Sequence, residues 1–276
     1  MQIDSHQHFW KYNPIRDSWM DESMKSIRRD FLPKDLIPLL RDNSIDGCVA
    51  VQADQSEEET LFLLGLASKN EEIKGVVGWL DLRADNIEDR LGHFSKFKKL
   101  KAIRHIVQSE SEDFMQGEAF QYGISKLHKY NLVYDILIFP NQLKSAIQLV
   151  QKFPDVQFVL DHVAKPYIKS GKIEGWKENI ITLASFSNIT CKLSGMFTEA
   201  NWQDWKLEEF IPYLDAVSAA FGADRLLYGS DWPVCTLATN YKEQVGFLRS
   251  YITKFTEEEQ RKIMGKNAIR VYNLND

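Results

Sequence analysis

Hydrophobic residues recur along the chain in short runs that are separated by polar segments of fairly even length. The runs are rich in β-branched and aromatic residues, and each has the length of a strand. We therefore predict eight strands, over residues 2–8, 46–53, 75–82, 101–107, 132–139, 156–162, 189–195 and 225–231.

Segments with helical periodicity separate these runs, and examples cover residues 57–69, 120–130, 141–153 and 208–222. Each is long enough to cross back over a parallel sheet. Strands alternating with helices predict an α/β fold, a (β/α)8 TIM barrel formed by a single domain over residues 1–276. An open doubly wound sheet is the alternative, but no GxGxxG turn follows the first strand and eight strands favour closure.

The segment from Trp10 to Pro33 interrupts the regular spacing. It is long, it follows the first strand directly, and it contains several aromatic residues. Long loops in compact domains commonly carry function. We predict a βα-loop that covers the mouth of the barrel.

Composition narrows the range of partners. The net charge is −5, with Lys and Arg interspersed among Asp and Glu, so nucleic acid is not an expected partner. We find no signal peptide and no apolar run of membrane-spanning length, which predicts a soluble cytoplasmic protein without membrane contact. Cys48, Cys191 and Cys235 lie far apart and are interpreted as buried hydrophobic residues. A homo-oligomer remains open.

The first strand ends in the triplet His6-Gln7-His8. Side chains alternate along a strand, so His6 and His8 share a face and lie about 7 Å apart. In a barrel enzyme the carboxyl end of a strand carries the chemistry, which allows both histidines to reach one metal ion or substrate atom. The alternative is a pair of surface or hydrogen-bonded core histidines.

Other predicted strands also end in polar residues. Strand eight ends at Asp231, which can bind a metal or accept a proton from water, or can simply cap the turn before a proline. Strand six is followed by His162 and Lys165. On strand four, Arg104 and His105 point to opposite faces, so only one of them can enter the pocket.

Several longer strings carry a resemblance. They are SHQHFW, RRDFLPKDL, VVGWLDL, AIRHIVQ, VLDHVAKP, CKLSGMFTEA and YGSDWPVC. Together they resemble the sugar-lactonase branch of the amidohydrolase superfamily, which includes L-fuconolactonase, L-rhamnonolactonase and 2-pyrone-4,6-dicarboxylate lactonase, over about residues 2–245. The resemblance implies a barrel that hydrolyses a cyclic ester. It assigns His6, His8, His162 and Asp231 to the catalytic centre, with Asp231 as general base.

The resemblance also bears on metal content. The bridging Lys or Glu of two-metal relatives has no clear counterpart, and strand five offers Tyr134 and Asp135 where many relatives have histidine, which argues against a binuclear centre. His6, His8 and Asp231 are the predicted ligands of one divalent metal ion, zinc, if His162 replaces the missing strand-five ligand. Because the branch includes members that work without metal, metal-free catalysis stays equally open.

The expected reaction is attack of water on the lactone carbonyl, with Asp231 taking the proton and returning it to the departing alkoxide. His6, His8, His162, Arg104 or zinc are the candidates to stabilise the oxyanion. No serine nucleophile is needed: Ser230 lacks a GxSxG elbow, and Ser194 has no SxxK motif although it shares a face with Lys192.

A dicarboxylate substrate would require several converging arginines. Instead, tryptophans occur near strand ends, and they suit a neutral polyhydroxylated ring or else simply pack the barrel. The predicted substrate-binding residues are Trp10, Trp79, Lys165, Lys192 and Trp232, and Gln52, Asp81, Gln108 and Asp135 are candidates to bind hydroxyls.

We therefore predict an aldonolactonase, and the resemblance points to L-fucono- or L-rhamnono-lactone. A metal-dependent decarboxylase of the same superfamily is the nearest alternative, disfavoured by the few arginines near the pocket. A non-catalytic sugar-binding barrel is the second alternative, and it would not need the four centre residues.

Overall fold

The computed structural model describes residues 1–274, which form one sheet of eight parallel strands in the order of the chain. The strands are β1 Ile3–Gln7, β2 Gly47–Val51, β3 Ile73–Gly78, β4 Leu100–His105, β5 Val133–Ile136, β6 Phe158–Leu160, β7 Ile189–Leu193 and β8 Leu226–Tyr228. Every predicted strand is present, and each is shorter than predicted.

The sheet closes between the first strand and the residues that follow the last. The Asp231 amide donates to the His6 carbonyl at 2.8 Å, and the His8 amide donates to the Trp232 carbonyl at 2.7 Å. Gln7 and Trp232 accordingly form a parallel bridge. Because neighbours in space are neighbours in sequence, the fold is the predicted TIM barrel and not a doubly wound sheet.

Helices cover the outside of the barrel. The main ones are α1 Pro33–Asp42, α2 Glu57–Ala67, α3 Ile87–Phe94, α4 Glu118–Leu127, α5 Leu143–Lys152, α6 Trp176–Ala184, α7 Leu207–Phe221 and α8 Tyr241–Tyr251, followed by α9 Glu257–Arg261 and α10 Asn267–Val271. The four segments with helical periodicity correspond to α2, α4, α5 and α7. Their apolar faces pack against the outward side chains of the strands and form the larger hydrophobic core.

The interior of the barrel is filled in layers. An apolar layer inside the barrel contains Ile3 and Val133, the first residues of β1 and β5, together with Val49 and Val77. Tyr272 and Leu274, at the carboxyl end of the described chain, belong to the same cluster. The C-terminal segment therefore closes the bottom of the barrel, and the polar residues lie above this layer.

The loop between β1 and α1 covers the opposite end, as predicted. Trp10 and Phe31 pair as an antiparallel bridge, with hydrogen bonds of 3.0 and 2.9 Å. The Trp10 indole donates to the Arg29 carbonyl at 2.8 Å. Trp19, 45% exposed, lines the cavity at this end of the barrel. The loop is thus tied at its two ends and projects an aromatic side chain over the mouth.

Two further predictions concern the whole chain. Within residues 1–274, no helix has both the length and the apolar character needed to cross a bilayer. Cys48, Cys191 and Cys235 are buried and unbridged, as interpreted from the sequence.

Candidate active site

Four side chains predicted to form the centre converge at the carboxyl ends of the strands. His8 Nε2 lies 3.4 Å from Asp231 Oδ1, and His6 Nε2 and His162 Nε2 lie 3.8 and 3.9 Å from the same oxygen. His6 Nε2 and His8 Nε2 are 3.2 Å apart. The barrel therefore brings together residues that are more than 220 positions apart in the sequence, as the strand-end positions predict.

His6 and His8 are aimed by local features of β1. The register of β1 against β2 shifts between Asp4 and Gln7, an interval that contains His6 and is followed directly by His8. His8 Nδ1 lies 2.8 Å from the Val51 carbonyl oxygen. Since a carbonyl only accepts, His8 Nδ1 carries the proton and neutral His8 presents an unprotonated Nε2 to the centre.

His162 follows β6 in an unusual turn. Residues 162–165 have successive φ angles of 54°, 48°, 59° and 46°. Each left-handed residue of this kind costs about 1–2 kcal/mol, and such strain concentrates at functional sites. The turn ends β6 early and points the imidazole inward, where Nδ1 meets Ser194 Oγ at 2.9 Å.

Two glycines make room for these histidines. A Cβ on Gly195 would lie 2.3 Å from His162 Nδ1, and one on Gly229 would lie 2.8 Å from His6 Cβ. Gly195 also has a φ of 61°. Both glycines stand inside strings that carry the family resemblance, which is the signal that could have found them.

Asp231 also lies in the left-handed region, with a φ of 58°. Burial would raise the pKa of this carboxyl, but the neighbouring histidines, His162 foremost, hold its pKa below the usual range. Burial lowers the pKa of His162 to about 4 and the pKa of His6 well below its ordinary value. At neutral pH the centre therefore holds an ionised Asp231 carboxylate beside the neutral imidazoles of His6 and His162.

A buried charge cluster lies directly beneath this centre. Lys192 Nζ lies 2.6 Å from Asp135 Oδ2 and 2.9 Å from Asp161 Oδ1. Arg104 Nη1 donates to Asp161 Oδ2 at 3.0 Å, and Arg104 Nε donates to Gln52 Oε1 at 3.2 Å. Two anions and two cations balance, as charges this deeply buried must.

The cavity above the centre is walled by the ends of several strands and by the loop after β1. Its lining residues are His8, Trp10, Trp19, Ala53, Arg104, Gln108, Leu137, His162, Lys165, Asp231 and Val234. Of the predicted substrate-binding residues, Trp10 and Lys165 are among them. Trp19, Leu137 and Val234 were missed, because isolated apolar residues in loops carry no signal in a single sequence.

Three predicted substrate contacts lie elsewhere, and this corrects the prediction. The Trp79 indole donates to His105 Nδ1 at 3.2 Å and lines a separate surface cleft. Trp232 is buried against Phe9 and Phe31. Lys192 is fully buried below the cavity, within the charge cluster. Proximity to a strand end does not fix how far along the barrel a side chain sits, and for both tryptophans the packing alternative fits.

Of the four candidates for binding substrate hydroxyls, one lines the cavity and three lie elsewhere. Gln108 lines the cavity, and its Oε1 is buried without a hydrogen-bond donor in the structure. Gln52 and Asp135 are held below by Arg104 and Lys192. Asp81 pairs with Arg83 at the surface. Of the neighbouring residues Arg104 and His105 on β4, it is Arg104 that lines the cavity.

The centre fits a single metal ion. Tetrahedral zinc with nitrogen ligands at 2.0–2.1 Å separates its ligand atoms by about 3.3 Å. The atoms of His6, His8 and Asp231 are 3.2, 3.4 and 3.8 Å apart, and the three form one potential metal group. A second group contains His6, Asp161 and His162, but Lys192 and Arg104 already pair with Asp161.

Known proteins resemble the chain over its whole length. A family model described as amidohydrolase matches residues 3–274. L-fucono-1,5-lactonases from Burkholderia multivorans and Burkholderia ambifaria are 35% and 33% identical, each covering 99% of this chain and 96% of the relative. An amidohydrolase from Burkholderia multivorans, crystallised with bound zinc, is 35% identical with a TM-score of 0.96 and 99% coverage of both chains. The chain therefore belongs to the amidohydrolase family.

Proposed function

We propose that this protein is a lactonase that opens a neutral aldonolactone to the aldonate. The observation that carries the proposal is the Asp231 carboxylate, ionised and surrounded by three imidazoles at the floor of an aromatic-walled cavity. The name L-fucono-1,5-lactonase, borne by relatives 33–35% identical over nearly the full chain, supports the reaction class and indicates the first substrate to try.

In the proposed mechanism Asp231 accepts a proton from the attacking water and later returns it to the ring alkoxide. His8 cannot donate to the oxyanion while neutral, because its one proton is engaged by Val51. His162 is better placed to donate, since Ser194 Oγ can occupy its Nδ1 and leave the proton on Nε2. Arg104 adds fixed positive charge at the cavity wall.

A divalent ion is the alternative source of positive charge. His6, His8 and Asp231 would hold it, and when bound it would polarise the lactone carbonyl and acidify a water molecule. The unprotonated Nε2 of His8 suits a metal ligand. Zinc is the ion we propose, supported by the zinc-bound relative.

The charges around the cavity favour a neutral substrate. Of its two lining cations, Arg104 pairs with Asp161 at 3.0 Å and Lys165 with Glu199 at 3.3 Å. A dicarboxylate would have to compete for both. Trp10 and Trp19 instead offer aromatic surface for the apolar face of a sugar ring, and the free acceptor of Gln108 suits a ring hydroxyl. We also propose a cytoplasmic location, supported by three unbridged cysteines.

The test is a pH-indicator screen of the purified protein before and after chelation. We expect acid release from L-fucono-1,5-lactone and at lower rates from L-rhamnono-lactones, and none above background from 2-pyrone-4,6-dicarboxylate. Loss of activity after chelation, restored by zinc, selects the metal-assisted form, and unchanged activity selects the metal-free form. Activity confined to the dicarboxylate, or CO2 release from aromatic acids without lactone hydrolysis, would contradict the proposal.

A further inference from the structure

Asp4 is a buried acidic residue that nothing in the proposed mechanism uses. It lies in β1, two residues before His6, and its side chain is fully buried. Three neutral groups donate hydrogen bonds to its carboxyl group: the backbone amides of His6 and Ser230 and the hydroxyl of Tyr241. Burying a carboxyl group among neutral partners costs free energy, so these contacts indicate a specific role.

One oxygen of Asp4 joins the two chain segments that carry the centre. Asp4 Oδ1 accepts from the Ser230 amide at 2.9 Å and from the His6 amide at 3.2 Å. His6 belongs to β1, and Ser230 directly precedes Asp231. The Asp4 carboxyl group therefore bridges the seam of the barrel, the line along which β1 meets the residues that follow β8.

Backbone pairing alone leaves a gap in this seam. The strand β8 ends at Tyr228, and the next backbone bond across the seam runs from the Asp231 amide to the His6 carbonyl. Ser230 lies between these two points and is fully buried, so its amide needs an acceptor. Asp4 supplies that acceptor from its side chain.

The carboxyl group of Asp4 is itself held from outside the barrel. Tyr241, the first residue of α8, is buried and donates its hydroxyl to Asp4 Oδ2 at 3.0 Å. On the inner side the two segments are in contact, since a Cβ on Gly229 would lie 2.8 Å from His6 Cβ. With both oxygens engaged, the acceptor that faces the two amides is fixed.

We propose that Asp4 is a positioning residue that sets the place of His6 relative to Asp231. His6 Nε2 lies 3.8 Å from Asp231 Oδ1, so a shift of one segment along the other changes the centre directly. Asp4 acts as a hydrogen-bond acceptor, and its charge is not required. The effect on hydrolysis rests on the proposed function, but the contact across the seam does not.

Three variants separate this role from general support of the barrel. Asp4→Ala removes the acceptor. Asp4→Asn keeps an oxygen for the two amides and turns its own amide group toward Tyr241, whose hydroxyl can accept. Ser5→Ala is the matched control, because Ser5 is also buried in β1 and its hydroxyl crosses the same seam to the Tyr228 carbonyl, two residues before Ser230.

Steady-state hydrolysis of L-fucono-1,5-lactone gives the first readout. We expect Asp4→Ala to lower kcat on the order of 100-fold with KM nearly unchanged, because a misplaced reacting group affects the transition state more than substrate binding. Asp4→Asn and Ser5→Ala should keep the wild-type kcat. A wild-type kcat in Asp4→Ala, a change in KM alone, or an equal loss of kcat in Asp4→Asn or Ser5→Ala would overturn the proposal. Should Asp4→Ala not fold, Asp4→Ser takes its place, since its hydroxyl is too short to reach the Ser230 amide.

Amide hydrogen exchange gives a second readout that involves no lactone. The Ser230 amide should exchange faster in Asp4→Ala than in the wild type, measured relative to the Val76 amide in β3, which lies away from the seam. Asp4→Asn and Ser5→Ala should protect it as the wild type does. Unchanged relative exchange in Asp4→Ala would overturn the proposal. A wild type that does not open the lactone contradicts the proposed function instead, and exchange then decides this inference alone.

Discussion

At the scale of single residues, the centre is defined by the partner that each side chain has on its far side. Val51 fixes His8, Ser194 meets His162, and Lys192 faces His6. Such partners set the tautomer and the orientation of an imidazole, and so decide which groups donate and which accept. A list of catalytic residues alone does not contain this information.

Gly195→Ala tests how closely His162 must be placed. The new methyl group would lie 2.3 Å from His162 Nδ1 and must displace the ring. A catalytic group misplaced by about 1 Å commonly costs on the order of 100-fold in rate, so we expect a loss of this size in kcat. Steady-state hydrolysis of L-fucono-1,5-lactone measures it.

Gly171→Ala is the control for backbone strain. Gly171 has a φ of 65°, close to that of Gly195, but a Cβ there would contact nothing within 4 Å. Gly171→Ala should lower the free energy of unfolding as Gly195→Ala does, but it should keep the wild-type kcat. Equal kcat in the two variants would show that the position of His162 does not matter.

At the scale of elements, the sequence predicts that a strand exists better than it predicts where the strand begins and ends. The strands predicted over 156–162 and 225–231 end at Leu160 and Tyr228, because left-handed backbone begins soon after each. The side chains of Val163, Ala164 and Lys165 do not favour that conformation, and surrounding contacts impose it. The existence and order of the strands were predictable from hydrophobic patterning, whereas their carboxyl ends and the turns that aim His162 and Asp231 were not.

Glu59 in α2 should make the free energy of unfolding depend on pH. Burial raises the pKa of Glu59 to about 7, and its Oε1 accepts from the Ala53 amide at 3.2 Å. Because the unfolded chain gives up this proton near pH 4.5, the wild type should lose stability as pH rises from about 4.5 to about 7. Glu59→Gln should not lose stability in this way, because glutamine does not titrate.

Urea unfolding at several pH values measures the effect. We expect wild type and Glu59→Gln to differ least near pH 4.5, and the variant to gain up to about 3 kcal/mol relative to the wild type by pH 8. A difference that does not change with pH would show that Glu59 titrates normally.

At the scale of the whole molecule, residues from both ends of the chain meet inside the barrel. Tyr272, beside α10, donates to Asp135 Oδ2 at 2.7 Å, and Asp135 in turn holds Lys192 beneath His6. The convergence of His6, His162 and Asp231 was predictable, since barrel strands end on one face. The charge cluster and the C-terminal segment below it were not, because long-range pairings leave no local pattern.

Tyr272→Phe tests this closure of the barrel. It leaves a buried carboxylate with one donor fewer, and hydrogen bonds to charged groups contribute about 1.5–3 kcal/mol. We expect a loss of that size in the free energy of unfolding, measured in urea. Tyr122→Phe is the control: Tyr122 also donates to a carboxylate, that of Glu88 at 2.8 Å, but at the surface, and should cost far less. Equal losses of unfolding free energy in the two variants would show that the Tyr272 hydrogen bond does not hold the barrel closed.

The central claim is that Asp231 is the base of a lactone hydrolysis, and Asp231→Asn tests it most directly. General acid–base groups contribute about 100-fold or more, so kcat/KM for L-fucono-1,5-lactone should fall by at least that factor. Asp89→Asn, on an exposed turn of α3, should leave it unchanged. Hydrolysis by Asp231→Asn at the wild-type rate would contradict the account.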